Sequence, residues 1–382
     1  MNSEKYSIVI LGLSITSSWG NGHATTYRGL MRGLAELGHD VLFLERNQPW
    51  YEANRDLPRP PYGRTELYES LEQLTDRFES AVRSADAVIV GSYVPEGIEV
   101  GEWVLRSARG VRAFYDIDTP VTLAALSNGA GPKYIQNAQI PRYDLYLSFT
   151  GGPVIHRLER EFLSPAARVL YCSVDPDQYR HRACEPVWDL GYLGTYSADR
   201  QVGLEQLLFK TAITRPSERY VVGGSLYPDS VPWPPNVERI EHLAPPEHPA
   251  FYNSQKFTLN LTRAAMIRAG YSPSVRLFEA AACGVPIISD YWRGLGDILT
   301  IGSEVLIARN HEDILRILTK TTAEQRHGIA AKARQKILRG HTFRIRASQL
   351  SAYLGERIEY TARKNLRRTL APVRVPAMNF GS

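Results

Sequence analysis

The sequence predicts an α/β protein built from two Rossmann-like domains. Three observations carry that expectation. At 382 residues the chain is longer than one hydrophobic core usually fills. Short continuous apolar runs, the mark of strands buried on both faces, alternate with longer amphipathic stretches. These runs end in loops holding Gly, Asp and Arg, at the strand carboxyl ends where open α/β sheets bind ligands.

Residues 7–13 (SIVILGL) read as the first strand, 24–37 as a helix stopped by Gly38, and 41–44 as the second strand. The loop between them, ITSSWGNGHATT, contains Gly20-x-Gly22. It is too long for a dinucleotide fingerprint, and Thr25 stands where a third glycine belongs. Glu45 nevertheless ends the second strand where a ribose-binding acid would. Residues 47–63, rich in proline and aromatics, read as an ordered surface loop, followed by a helix over 64–84. Strand 87–90, helix 97–108 and strand 111–115 continue the alternation. The last ends in Asp116-Ile117-Asp118-Thr119-Pro120. The D-x-D spacing suggests a metal site, but a shared metal would need a particular loop geometry, so one aspartate acting alone is preferred. Strands at 145–148 and 168–171 close the first half, and 173–179 reads as the interdomain connection.

The second half opens with strand 190–193, which runs into Gly194, Thr195 and Arg200. Strand 220–222, a proline-rich stretch at 227–235, a helix over 248–254 and strand 257–261 follow. Arg263 then stands at a strand carboxyl end as a candidate phosphate contact. The stretch 270–290, GYSPSVRLFEAAACGVPIISD, is punctuated as loop, helix, turn and strand. Ser272 can cap the helix, Pro273 suits its first position, Gly284 stops it and Pro286 prevents continuation. Ser272, Arg276 and Glu279 fall at i, i+4 and i+7 and line one face. The helix N-terminus suits a phosphate, Arg276 adds a charged fork, and Glu279 one turn deeper reaches a sugar hydroxyl. That arrangement describes a nucleotide-diphosphate site, although an exposed Arg–Glu pair on a surface helix has the same spacing. Strand 304–308 and helices over 312–318, 323–338 and 343–360 complete the body. From residue 361 there is no apolar period, and the tail is expected to be mobile.

The 270–290 block resembles the donor-binding segment of GT-B glycosyltransferases, most closely the CgeB-like (spore-maturation-type) group. Retaining GT-B enzymes carry two glutamates eight positions apart there, the second on the ribose. Glu279 matches the second, while Tyr271 stands at the first, so the resemblance implies donor binding without implying retention. Retaining relatives also place an arginine and, five residues later, a lysine on the diphosphate; here these positions are Thr195 and Arg200, and Arg can clamp phosphate bidentately. The resemblance spans roughly residues 7–358 and implies a GT-B fold, two Rossmann-like domains facing an interdomain cleft. It implies an acceptor domain at 1–174, a nucleotide-sugar donor domain at 175–342, a helix crossing back at 343–360 and a basic tail at 361–382. The donor set it implies is Gly194, Thr195, Arg200, Arg263, Tyr271, Ser272, Ser274, Arg276 and Glu279. Gly20, Asn21 and Gly22 form the acceptor-side loop.

Transfer to an acceptor hydroxyl needs a base. His23 lies in that loop and titrates near neutral pH. With Asp118, or Asp116, it resembles the histidine–aspartate pair of inverting GT-B enzymes, so inversion is expected. The departing diphosphate is left to the helix N-terminus at 272–274 and to Arg200, Arg263 and Arg276, with no cofactor and no obligatory metal. The partners expected are a nucleotide sugar and an acceptor that is a glycan, a protein, a small molecule or a modified DNA base. Two readings from other classes remain open: an NAD-dependent oxidoreductase or epimerase using Gly20-x-Gly22 and Glu45, and a non-catalytic nucleotide-sugar-binding protein.

Composition limits the setting. No apolar run reaches the roughly 20 residues of a membrane span, and the N-terminus enters a strand without a signal-peptide pattern. Three cysteines (Cys172, Cys184, Cys283) have an odd count and no metal spacing, as expected in a reducing cytoplasm. The net charge is +5, yet residues 343–375 hold eight Lys/Arg against two acids, a local +6 that leaves the remainder at −1. That distribution weakens the case for the whole molecule as a nucleic-acid binder, and the basic tail is expected to meet anionic surfaces.

Overall fold

The apolar runs assemble into two wholly parallel sheets in the computed structural model, which describes residues 4–129 and 131–370. The first sheet contains β1 (Ser7–Gly12), β2 (Asp40–Arg46), β3 (Arg64–Tyr68), β4 (Ala87–Gly91), β5 (Val111–Asp116), β6 (Leu145–Ser148) and β7 (Ala167–Val169), in the order β3-β2-β1-β4-β5-β6-β7. The second contains β8 (Trp188–Leu193), β9 (Tyr220–Gly223), β10 (Val237–Ile240), β11 (Gln255–Asn260), β12 (Ile287–Ser289) and β13 (Leu306–Ile307), in the order β10-β9-β8-β11-β12-β13. In each sheet the strand order reverses around the first strand, β1 or β8. That topology opens a crevice beyond the strand's carboxyl end, and it directs the two following loops towards the cleft.

Three local readings need correction. The expected helix over 64–84 is a strand and a helix: β3 pairs with β2 from Leu42↔Arg64 to Arg46↔Tyr68, and the helix starts at Leu71. An edge strand keeps exposed polar residues in alternation, which hid it among helix formers. The boundary was legible in Ser70-x-x-Gln73, where Ser70 accepts from the Gln73 N–H and Gln73 accepts from Glu69 N–H. Second, β10 lies just beyond the proline-rich stretch, where no strand is expected. Third, the C-terminal helix runs Phe343–Leu370, ten residues past its expected end at 360. Residues 361–370 (TARKNLRRTL) contain no Gly or Pro, so nothing local stops it; residues 371–382 lie outside the described residues. No described helix is long and apolar enough to cross a membrane.

The last helix does cross the domain boundary. Arg344 donates to Glu36 at 2.7 Å and to Asp177 at 3.2 Å, and Arg32 on the first domain's opening helix (His23–Glu36) donates to Asp175 at 2.7 Å. An apolar cluster continues through the boundary, joining Ile10 and Tyr27 to Phe278, Trp292 and Leu350. The two sheets are thereby held with their switch-point loops facing one another.

Candidate active site

Between the domains lies a cavity of about 460 Å³, lined from the first domain by Gly20, Asn21, Gly22, His23, Tyr93 and Asp118 and from the second by the loops after β8, β9 and β11 and the segment 272–279. The size is that of an ordinary small-molecule site.

On the second domain, the helix Val275–Ala282 starts two residues later than its sequence suggests. Ser274, extended at φ −79° and ψ 153°, is the N-cap, and no side chain caps the helix. Its hydroxyl donates instead to Asn260 Oδ1 at 2.7 Å. Ser272, expected to be the cap, is 2% exposed and shares a 2.9 Å hydrogen bond with Thr150 of the other domain. Both serines still line the cavity. A long-range hydrogen bond outcompeted the local cap. Gly284 has φ +72°, the left-handed stop.

Three guanidinium groups converge on this helix start. Arg276 donates to the Leu261 carbonyl at 2.9 Å and lies over the Tyr192 ring at 5.2 Å. Arg263 Nη1 stands 3.6 Å from Asp118. Arg200 donates one nitrogen to the Thr195 carbonyl, while its buried Nε has no partner. Burial, reinforced by the charges of Arg276 and Arg263, lowers the Arg200 pKa below its ordinary value. Gly194 and Thr195 also line the cavity. Gly224, at φ +146°, lies so near that a Cβ there would sit 2.1 Å from the Gly194 carbonyl oxygen. Bare backbone is therefore required where these loops meet.

One turn into the helix, Glu279 is 2% exposed yet loosely held. Tyr252 donates its hydroxyl to it at 3.4 Å, and His248 Nδ1 stands 3.7 Å away. Only the first of these is a hydrogen bond, and a long one, so lone pairs stay open on a buried carboxylate, which ordinarily demands full satisfaction.

Tyr271 departs from expectation. It has φ +50° and does not line the cavity. Its ring fills a slot where a Cβ on either Gly152 or Gly294 would approach it to 2.4 Å, and its carbonyl accepts from Gly151 N–H at 2.9 Å. The residue joins the loop before the helix to the first domain and does not line the cleft.

On the first domain, the loop turns at Gly20 (φ +59°) and Asn21 accepts from His23 N–H at 2.9 Å. His23 is the first residue of its helix, not a loop residue. Its Nε2 stands 4.0 Å from Asp118 Oδ2, and Nδ1 is buried with no partner. Burial lowers the His23 pKa, with Asp118 opposing and Arg263 reinforcing the shift. The two aspartates part because β5 ends at Asp116, while Asp118 lies beyond it at the start of the next helix, Thr119–Ser127. Asp118 faces the cleft, whereas Asp116, the other candidate partner of His23, is fully buried and absent from the lining. Asp116 accepts from Tyr146 at 2.6 Å and Thr122 at 2.9 Å, and burial pushes its pKa to about 7.

Glu45, the acid on which a dinucleotide reading depends, is consumed by its own loop. It is fully buried and accepts from Ser14 Oγ, Ile15 N–H, Thr16 N–H and Thr16 Oγ1 at 2.6–3.0 Å. No capacity remains for a ribose, and the oxidoreductase alternative falls with it. Sequence reasoning missed Tyr93, His248 and Tyr252. Tyr93 carried one signal, its place just beyond a strand carboxyl end.

Comparison with known proteins agrees with this geometry. Residues 200–352 match the model of a family described as glycosyl transferase-like. Sucrose-phosphate synthase from Thermosynechococcus elongatus superposes with TM-score 0.69 at 14% identity, covering 94% of this chain and 100% of that one. HepE from Anabaena, in complex with UDP and glucose, gives TM-score 0.67 at 12% identity over 92% of this chain and 100% of its own. An α-glucosyltransferase in complex with UDP-glucose and DNA containing an abasic site gives 0.68 at 13% over 92% and 100%. No curated protein matches the chain by sequence. The chain thus has the GT-B fold, and its second half contains a segment that matches a glycosyl transferase-like family.

Proposed function

We propose that this protein transfers a glycosyl group from a nucleotide-diphosphate sugar to an acceptor hydroxyl, with His23 as the base and inversion at the anomeric carbon. The observation that carries the donor assignment is the convergence of Arg200, Arg263 and Arg276 on an uncapped helix start, with Glu279 buried one turn deeper. The arginines and the helix amides would hold the diphosphate, and Glu279 a ribose hydroxyl. UDP in the complexes of the similar structures supports a uridine nucleotide as donor. The resemblance of the 270–290 block supports a place in the CgeB-like group.

In the transfer, the acceptor O–H proton passes to His23 and the acceptor oxygen bonds to the anomeric carbon. The bond from that carbon to the β-phosphate oxygen breaks, and its electron pair leaves with the diphosphate. The arginines stabilise the charge that develops there. The lowered His23 pKa keeps the imidazole neutral and able to accept the proton, and Asp118, 4.0 Å from Nε2, stabilises the imidazolium that forms.

Glu279→Ala tests the donor site. A hydrogen bond to a charged group contributes about 1.5–3 kcal/mol, so nucleotide affinity should fall roughly tenfold to a hundredfold with the melting temperature of the free protein little changed. Unaltered affinity for UDP in calorimetry would remove Glu279 from the ribose.

A further inference from the structure

Tyr93 follows β4 with φ +64°, a left-handed conformation in which a bulky residue is a true outlier. Such strain persists where surrounding structure over-determines it, and it gathers at functional sites. The side chain it aims reaches both members of the proposed dyad. Its ring meets His23 edge-on, with centroids 5.3 Å apart and planes at 64°. Its hydroxyl donates to Asp118 Oδ2 at 3.0 Å.

That oxygen is contested. Arg263 Nη1 stands 3.6 Å from Asp118 Oδ2, nearer than His23 Nε2 at 4.0 Å. Left to electrostatics, Asp118 would close on the guanidinium, a permanent cation, in preference to the neutral imidazole. That ion pair would remove the carboxylate from His23 and a cation from the diphosphate side. The Tyr93 hydroxyl holds the contested oxygen where it stands.

Tyr93 is itself braced. Its ring packs on Tyr134 at 4.6 Å, and the Tyr134 and Thr122 hydroxyls bond at 2.8 Å. Thr122 donates to Asp116 Oδ1 at 2.9 Å, Tyr146 donates to Oδ2 at 2.6 Å, and Asp118 N–H donates to Oδ1 at 3.2 Å. A fully buried carboxylate thus anchors the network whose far end is Asp118, which gives Asp116 a role the transfer step does not.

We infer that Tyr93 is a positioning residue that holds Asp118 on His23 and away from Arg263, keeping the acceptor-side dyad separate from the donor-side cations. The inference rests on the reading of His23 as base. The charged and titratable groups facing His23 are Asp118, Arg263 and Tyr93 itself.

The test is Tyr93→Phe, which keeps the ring and removes the hydroxyl, compared with wild type and His23→Ala. Losing one bond to a carboxylate should lower kcat roughly tenfold to a hundredfold, with the dissociation constant for the donor nucleotide near wild type. The acidic limb of the kcat profile should also move to lower pH. The carboxylate raises the imidazole pKa, so its departure lets that pKa fall. A merely structural role for the hydroxyl would leave the limb in place. Tyr93→Asn, which tolerates the left-handed backbone, provides a second variant with the same expected loss should the phenylalanine variant fold poorly. Wild-type kcat with an unmoved limb in Tyr93→Phe overturns the inference while a crippled His23→Ala leaves the base standing. Normal turnover in His23→Ala overturns both.

Discussion

Replacing His23 with alanine should lower kcat by roughly 10²–10⁴ while nucleotide affinity stays near wild type, because a positioned general base contributes about that factor to the transfer step alone. His23 lies on the first-domain wall of the cleft and the arginines on the second, so its loss should leave nucleotide binding intact. The wild-type pH profile carries a second expectation. Burial lowers the imidazole pKa, so the acidic limb should fall below the ordinary histidine value of about 6.5. The same shift makes the folded state bind fewer protons at this position than the unfolded chain. Its effect on stability is therefore unfavourable only as pH drops below about 6.5. Near-normal kcat in His23→Ala would remove it from the base role.

Arg200→Met should weaken binding of the diphosphate on the order of a hundredfold, the upper range for a hydrogen bond between charged groups. The apo protein should melt no lower than wild type, and higher if the arginines repel appreciably. Arg200 has an unpartnered Nε and a pKa lowered by burial and by Arg276 and Arg263, so before an anion arrives it is a strained cation. Methionine keeps an apolar stem of similar length and removes the repulsion. A gain in stability with a loss of binding is the signature of a site maintained for function. Parallel loss of melting temperature and affinity would instead mark Arg200 as structural. Thermal melting with and without UDP separates the two outcomes.

Much of the fold was legible because parallel strands announce themselves. Runs such as VILG and AVIV are apolar on both faces, and each wall of the cleft follows one of them. Arg64–Tyr68 was not legible by that signal, since an edge strand is polar in alternation and flanked by helix formers. In the site, Asp118 parts from Asp116 because β5 ends at Asp116, an end that strand periodicity does not reveal. Arg276 and Glu279 were readable from helical spacing, since both belong to one short helix. Ser272 and Tyr271 were misjudged for a common reason: their partners, Thr150 and Gly152, lie more than a hundred residues away on the other domain. No local pattern encodes such a contact. Tyr93 illustrates the same limit, because its importance rests on Asp118, Arg263 and its own φ, none of which a lone tyrosine reveals.

The cleft as a nucleotide-sugar site is the claim on which everything else depends, and calorimetric titration tests it without knowledge of the acceptor. UDP, GDP and TDP, each free and as the sugar conjugate, are titrated into the wild-type protein in buffer containing a metal chelator. At least one nucleotide, with the uridine series favoured, should saturate a single site per chain, its sugar conjugate should compete for that site, and Arg200→Met should weaken both. Absence of binding by all three diphosphates, or binding that Arg200→Met and Glu279→Ala both leave unchanged, would contradict the account.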